Sequence, residues 1–190
     1  MNETKVAIQI PPIEKSLLSI TIQGTTPLLT HRMSVESLDG PGPGPKPVKP
    51  PYDLEQEFKN SIYFTDDGRP GFPACGIKKA CVSACRFLEM KMTEARGAFF
   101  IMGDILPING SEPERHDAVV RIQGRSAVVR RRAIFNEWSI TMKILHNPNI
   151  ININGIASLL EAAGFHIGIG DWRPEKDGTM GMFQVQRDDK

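Results

Sequence analysis

An arginine-rich stretch is the first part of this sequence whose residue types and spacing could bind a phosphate-bearing ligand. Residues 118–136 contain no acidic residue and five arginines: Arg121, Arg125, Arg130, Arg131 and Arg132. On a β-strand, Arg130 and Arg132 would share one face about 7 Å apart, near the phosphate spacing of a single nucleic-acid strand, while Arg131 would point to the other face. The stretch therefore predicts a phosphate-binding surface. The alternative is a solvated sheet edge whose charges discourage aggregation.

A glycine-rich segment near the C-terminus is the second candidate site. It contains five glycines between a predicted helix and a predicted last strand: Gly164, Gly168, Gly170, Gly178 and Gly181. Glycine lets backbone amides approach a ligand closely, phosphate above all. Trp172 and Arg173 lie beside these glycines, and an indole can stack on a base while a guanidinium pairs with a phosphate. We therefore predict a binding loop around Gly168 and Gly170, with simple turn glycines as the alternative.

The strands that must position these segments are predicted from alternating and short apolar runs. The predicted strands cover residues 5–10, 18–22, 98–102, 119–122, 126–135, 138–145 and 182–186. We expect 126–135 and 138–145 to pair with each other as a hairpin around Asn136 and Glu137. The arginine-rich stretch would then lie on neighbouring strands of one sheet.

The helices are predicted from apolar residues at helical spacing and from capping residues. One helix is predicted over 77–91, and Asn154 is a candidate N-cap for another over 156–163, which would end at Gly164 in a left-handed conformation. Strands and helices in this order indicate an α+β fold. We predict a ferredoxin-like or RRM-like antiparallel sheet with helices on one face.

A proline- and glycine-rich segment interrupts the predicted elements at residues 40–51. It contains six prolines, three glycines and two lysines, so neither a helix nor a strand can form there. We predict a flexible loop inside a single domain that spans residues 1–190. The loop is either a surface insertion or an arm that becomes ordered on a partner, with Lys46 and Lys49 available for phosphates.

Composition and motif spacing exclude several classes of site. The three cysteines lack the paired spacing of a zinc site, and no cofactor motif is present, so we expect neither a metal nor a cofactor. The glycine-rich segment has no Gly-Lys-Ser/Thr and follows a helix, unlike a P-loop or a dinucleotide-binding motif. There is no apolar run of about 18 residues and no signal sequence. We therefore expect a cytoplasmic protein without membrane contacts, in a bacterium or a phage-infected host.

Two segments carry a resemblance to a known family. An Ala-Ala-Gly helix end, the Gly168-Ile-Gly170 sequence and a later Gly-x-x-Gly-x-Phe before the last strand resemble the glycine-rich loop of the RAMP superfamily. These proteins are ferredoxin- or RRM-like RNA-binding subunits of CRISPR effector complexes. Residues 72–80 are similar to the segment that precedes the first helix of those proteins. Gly168, Gly170, Gly178 and Gly181 match the family's loop, and Ile77 and Lys78 match its helix start. We expect Gly168 and Gly170, with Lys78 and the neighbouring Lys79, to contact nucleic acid.

These observations together predict a protein that binds single-stranded RNA or DNA without cleaving it and self-associates along the strand. The whole chain is also similar to small phage-encoded proteins, which favours a binding protein that acts alone. One alternative is a metal-independent endoribonuclease in which His31 is the general base. Another is a phage protein that binds or inhibits a host protein complex.

Overall fold

The computed structural model describes residues 11–32, 53–122 and 126–187. The described strands, in chain order, are β1 (Ser16–Gly24), β2 (Leu28–Thr30), β3 (Tyr63–Phe64), β4 (Pro70–Pro73), β5 (Phe99–Ile101), β6 (Ile105–Pro107), β7 (Asn109–Gly110), β8 (Glu114–Ile122), β9 (Ser126–Phe135), β10 (Trp138–His146) and β11 (Phe183–Val185). The described helices are α1 (Leu54–Asn60), α2 (Ala74–Ala84), α3 (Met92–Ala98) and α4 (Ile153–Ala162). The predicted strand over 5–10 and the predicted loop over 40–51 lie outside these ranges.

The main sheet has the topology of a ferredoxin-like unit. Its strands lie in the order β11-β1-β10-β5, and every neighbouring pair is antiparallel. Along the chain, β1, α2, β5, β10, α4 and β11 give the βαββαβ sequence of elements that defines this unit. The short strand β7 extends the sheet by pairing with the beginning of β10. The predicted α+β class with an antiparallel sheet is therefore confirmed.

Strand β10 shows why one face of this sheet carries the core. Residues Trp138, Ile140, Met142 and Ile144 are buried, whereas Thr141 and Lys143 between them are exposed. This period of two puts the apolar side chains on the face that α2 and α4 cover. From the helices, Ile77 and Cys81 of α2 and Ile156 and Leu159 of α4 are buried in the same cluster. The helices therefore lie on one face of the sheet, as predicted.

A second, three-stranded sheet has the order β2-β9-β8 and corrects the predicted hairpin. Strands β9 and β10 have nearly the predicted bounds, but they do not pair with each other. Instead β9 pairs with β8 and β2, whereas β10 pairs with β1, β5 and β7. The short connection at Asn136 and Glu137 carries the chain from one sheet into the other. Alternation along a strand identifies its buried face but not its partner, which is why the pairing was wrong.

The ends of two helices differ from those predicted. Helix α2 begins at Ala74 and ends at Ala84, where a 3₁₀ turn over Cys85–Phe87 replaces the predicted continuation to residue 91. The N-cap of α4 is Asn152, whose side-chain oxygen accepts from the Gly155 amide at 2.8 Å, and not Asn154.

The C-terminal end of α4 continues into a π-helical turn over Ala163–Ile167, so Gly164 is not the left-handed residue. That residue is Gly168, with φ of 67°. Gly164 is instead buried where any Cβ would collide with the carbonyl oxygen of Phe183. No helix in the described part of the chain is long and apolar enough to cross a membrane.

Candidate nucleic-acid interface

A cleft of about 300 Å³ lies between helix α2, the glycine-rich loop and strands β2, β3 and β4. Strands β3 and β4 belong to a third, three-stranded sheet of order β3-β4-β6. One wall is the glycine-rich loop over residues 167–171, and the opposite wall is the N-terminal half of α2. His31, which follows β2, and Tyr63 of β3 close the remaining side. The two segments that carry the family resemblance are thus neighbours in space, although about ninety residues separate them in the sequence.

The glycine-rich loop is held by hydrogen bonds to the protein itself. The amides of Gly168 and Asp171 donate to the carbonyl oxygens of Ala163 and Leu29, each at 2.8 Å. Gly170 has φ of 78°, and a Cβ there would collide with the carbonyl oxygen of Leu29. The Gly168 amide is therefore engaged within the protein, and the predicted role of Gly168 and Gly170 in ligand binding stays a prediction. Gly170 lets the loop pack closely on β2.

The arginines of β9 divide between two sides of the strand, as the alternation predicts. Arg131 forms an ion pair with Glu57 of α1 at 2.7 Å, and Arg132 forms one with Asp171 of the loop at 2.8 Å. Arg130 is partly exposed and has no ion-pair partner among the described residues. Much of the positive charge that the sequence presents is therefore neutralised in the folded chain.

Two further predicted arginines contribute no described side-chain contact. The backbone of Arg121 pairs with Ala127 in the β8–β9 ladder. Arg125 is outside the described residues. The predicted role of both arginines in phosphate binding stays a prediction.

Trp172 and Arg173 differ in how free their side chains are. The guanidinium of Arg173 donates to Glu175 at 2.8 Å and to the carbonyl oxygen of Gly170 at 3.0 Å, so it stabilises the loop. Trp172 is 42% exposed and has φ of 52°, a conformation that costs a non-glycine residue energy. The Arg132 guanidinium lies 5.6 Å from the centroid of the indole ring. The indole is therefore accessible and held beside a cation.

The two helix lysines have opposite surroundings. The Lys78 Nζ donates to the carbonyl oxygen of Ala95 at 2.7 Å and lies 3.3 Å from the centroid of the Phe99 ring. Burial lowers the pKa of this ammonium group from its usual 10.5 to about 8. Lys78 is thus turned towards the protein, contrary to its predicted contact with nucleic acid. Lys79 is exposed and lines the cleft.

His31 has the environment of a neutral imidazole. Burial lowers the pKa of His31 below its usual 6.5, as do the charges of Arg130 and Arg132, while the Asp171 carboxylate acts in the opposite direction. Burial also raises the pKa of Tyr63, a neighbour in the cleft, above its usual 10. At neutral pH the cleft therefore presents an imidazole able to accept a proton and a phenol able to donate one.

Comparison with known proteins gives likenesses to solved structures alone. No family model matches the chain, and no curated protein matches it. A chain in a structure described as "Cryo-EM structure of the Type III-B Cmr-beta bound to cognate target RNA" is similar with a TM-score of 0.48 and 12% sequence identity. The likeness covers 91% of this chain and 59% of that chain. We draw no functional conclusion from a likeness at this level.

Sequence reasoning missed three residues that the folded chain brings to the site: Tyr63, His116 and Asp171. Asp171 holds Arg132 in place, but no sequence pattern joins these two residues because 39 positions separate them. His116 comes opposite Arg132 only through the β8–β9 register. No group of metal-ligating side chains occurs among the described residues.

Proposed function

We propose that this protein binds single-stranded nucleic acid, without cleaving it, at the cleft between the glycine-rich loop and α2. The observation that carries the proposal is the position of Trp172. This partly exposed indole stands beside Arg132. In the chain it lies between Asp171 and Arg173, which line the cleft together with Lys79. Single-strand binding sites combine aromatic rings, on which bases stack, with cations that follow the backbone.

The cations available for phosphates are fewer than the sequence suggests. Arg131, Arg132 and Arg173 are engaged in ion pairs, whereas Lys79 and Arg130 are at least partly exposed and do not appear in any described ion pair. Each phosphate neutralised on a single strand contributes about 0.7 to the slope of log K against log salt. We therefore expect a shallow salt dependence, and most of the affinity should come from stacking and hydrogen bonds.

Fluorescence anisotropy with labelled oligonucleotides tests the proposal. Single-stranded RNA, single-stranded DNA and a duplex of the same sequence are titrated with the protein at several salt concentrations. We expect binding of the single strands and weaker binding of the duplex, whose bases cannot stack on Trp172. Absence of binding to every oligonucleotide would overturn the proposal. A steep, cooperative rise would support self-association along the strand.

A metal-independent endoribonuclease is the second candidate, because the cleft places His31 beside Tyr63 and Lys79. A neutral imidazole could take the proton of a ribose 2′-hydroxyl as that oxygen attacks the adjacent phosphorus. The phosphorus–5′-oxygen bond would then break, and an acid would protonate the leaving oxygen. The low pKa of His31 gives the imidazole the protonation state that this step needs.

Incubation of end-labelled RNA with the protein in a chelator distinguishes the two candidates. We expect intact RNA after hours, as the binding proposal requires. Cleavage that is absent from His31→Ala and from a matched DNA strand, which lacks the 2′-hydroxyl, would make the ribonuclease the better conclusion. Cleavage that persists in His31→Ala would indicate a contaminating nuclease.

A further inference from the structure

Three nitrogen-bearing side chains form a row across the small sheet. His116 of β8 lies directly opposite Arg132 of β9. On the other side of β9, Thr30 lies opposite Ala133, so the next residue of β2, His31, comes beside Arg132. Residues opposite each other on antiparallel strands project from the same face. His31, Arg132 and His116 therefore project together, a group that we call the nitrogen row.

Each member of the nitrogen row has a buried nitrogen atom without a hydrogen-bond partner among the described residues. These atoms are Nδ1 of His31, Nη1 of Arg132 and Nε2 of His116. Arg132 is only 7% exposed, and its Nε donates to Asp171. A buried polar atom that lacks a partner costs about 1–3 kcal/mol, so three in one place need a reason.

The segment that covers the row is itself strained. The Trp172 ring lies 6.3 Å from the His116 ring, at an interplanar angle of 74°, and 5.6 Å from the Arg132 guanidinium. Its left-handed backbone conformation is fixed by the amide of Met180, which donates to the Trp172 carbonyl oxygen at 2.9 Å. Strain of this kind is found where a fold holds a side chain over a ligand site.

We propose that the nitrogen row, covered by Trp172, is a binding site for one phosphate group. A guanidinium and two imidazoles can all donate hydrogen bonds, and phosphate oxygens accept several of them. Asp171 holds Arg132 by one edge and leaves Nη1 for a ligand. The phosphate could be inorganic or belong to the nucleic-acid strand; only the second source rests on the proposed function.

Nitrogen-15 NMR of the histidine side chains tests the site directly. Inorganic phosphate is titrated into the full chain in chloride buffer at constant ionic strength. We expect the imidazole signals of His31 and His116 to shift in a saturable manner, while those of His146, buried in the main core, stay constant. Unchanged signals for His31 and His116 would overturn the proposal.

Three variants of β8 make the test specific. His116→Phe keeps a ring beside Trp172 but removes both nitrogens, so phosphate should bind about tenfold more weakly. His116→Gln places an amide nitrogen near the position of Nε2 and should restore much of the affinity. Arg115→Ala is the matched control, because Arg115 points to the other face and forms an exposed ion pair with Asp117. Equal phosphate affinity in all three variants would also overturn the proposal.

The same proteins distinguish failure of the phosphate site from failure of the proposed function. A 5′-phosphorylated oligonucleotide, its 5′-hydroxyl form and inorganic phosphate are compared by competition. If phosphate binds and neither oligonucleotide does, the site stands and the proposed function fails. If both oligonucleotides bind equally to the wild type and to His116→Phe, and phosphate does not compete, the proposed function stands and the phosphate site is wrong.

Discussion

The outer face of the main sheet and the cleft offer very different surfaces to a ligand, although helix α2 packs on the sheet and also lines the cleft. On the outer face, the hydroxyls of Thr21 and Thr141 hydrogen-bond to each other at 2.9 Å across the two central strands. The cleft instead brings His31 and Lys79 together from segments far apart in the sequence. Trp172, next in the chain to the lining residue Asp171, stands beside Arg132 and His116 of the nitrogen row.

RRM-type domains bind single strands through aromatic residues on the outer face of the sheet. Here the described aromatic residue of that face is Phe100, 54% exposed on the edge strand β5, where it lies in a row with Leu145 and Leu17. The central strands carry Thr and Lys side chains in its place. The fold alone therefore does not identify the binding face. Because the described part of the outer face has few aromatic side chains, the cleft is the better position for the proposed binding site.

Among the variants near the cleft, substitution of a loop glycine should have the largest effect on stability and on binding. In Gly170→Val, the left-handed backbone and the collision with the Leu29 carbonyl act together, so we expect a loss of about 3 kcal/mol or more in the free energy of unfolding. Binding should be lost as the loop leaves β2. Urea unfolding measures the first effect and anisotropy the second.

Gly68→Val is the matched control for Gly170→Val. Gly68 has φ of 79°, almost the same as Gly170, but no atom lies within 4 Å of the position of its Cβ. In Gly68→Val, the free energy of unfolding should therefore fall only by the conformational cost, about 1–2 kcal/mol, and binding should be normal. If the two variants are equally destabilised, Gly170 is needed only for its left-handed conformation and not for the close contact between the loop and β2.

Removal of the exposed indole should have the next largest effect. Trp172→Ala should weaken single-strand binding by roughly 1–3 kcal/mol, the usual contribution of one stacked base. Phe100→Ala, on the outer face of the sheet, should leave the affinity unchanged. Anisotropy titrations of both variants compare the two surfaces directly, and the opposite result would move the binding site to the sheet.

A single lysine should change the salt dependence more than the affinity. Lys79→Ala removes a cation from the wall of the cleft, so the slope of log K against log salt should fall by about 0.7. Lys143→Ala removes a cation from the outer face of the sheet and should leave the slope unchanged. Equal effects would mean that charge acts at long range and that neither lysine contacts the strand.

The strands and helices of the main sheet could be predicted from the sequence, because alternation and helical spacing are local patterns. Strands β1 and β10 have a clear period of two, and the buried face of α2 has helical spacing. The long-range pairing could not be predicted in either sheet, since it joins β1 to β10 and β2 to β9 across more than a hundred residues. Short-range patterns contain no signal for such a register.

The segments that form the candidate site were predicted from the sequence, but the contacts between their side chains were not. The arginine-rich stretch and the glycine-rich loop do meet, through Arg132 and Asp171. The ion pairs that neutralise Arg131 and Arg132 depend on Glu57 and Asp171, which lie outside the basic stretch. A count of charges along one strand therefore overestimated how many cations are available.

The smallest effect on binding is expected for substitution of Lys78. This variant distinguishes a lysine that stabilises the fold from one that contacts the strand. Its side chain faces the carbonyl oxygens of α3 and β5, so Lys78→Met should bind single strands as the wild type does. Anisotropy measures this result, and a loss of affinity with unchanged folding would return Lys78 to the site.

The same substitution should change how stability depends on pH. The pKa of Lys78 is about 8 in the folded chain and near 10.5 when unfolded, so between these values the unfolded state binds more protons. The free energy of unfolding must therefore rise with pH over this interval, and the contribution is absent below about pH 8. Urea unfolding from pH 7 to pH 10 should show this rise in the wild type and in Lys79→Met, whose lysine is exposed, but a smaller rise in Lys78→Met. If all three proteins show the same profile, the Phe99 ring and the carbonyl oxygens stabilise the ammonium enough to offset its burial.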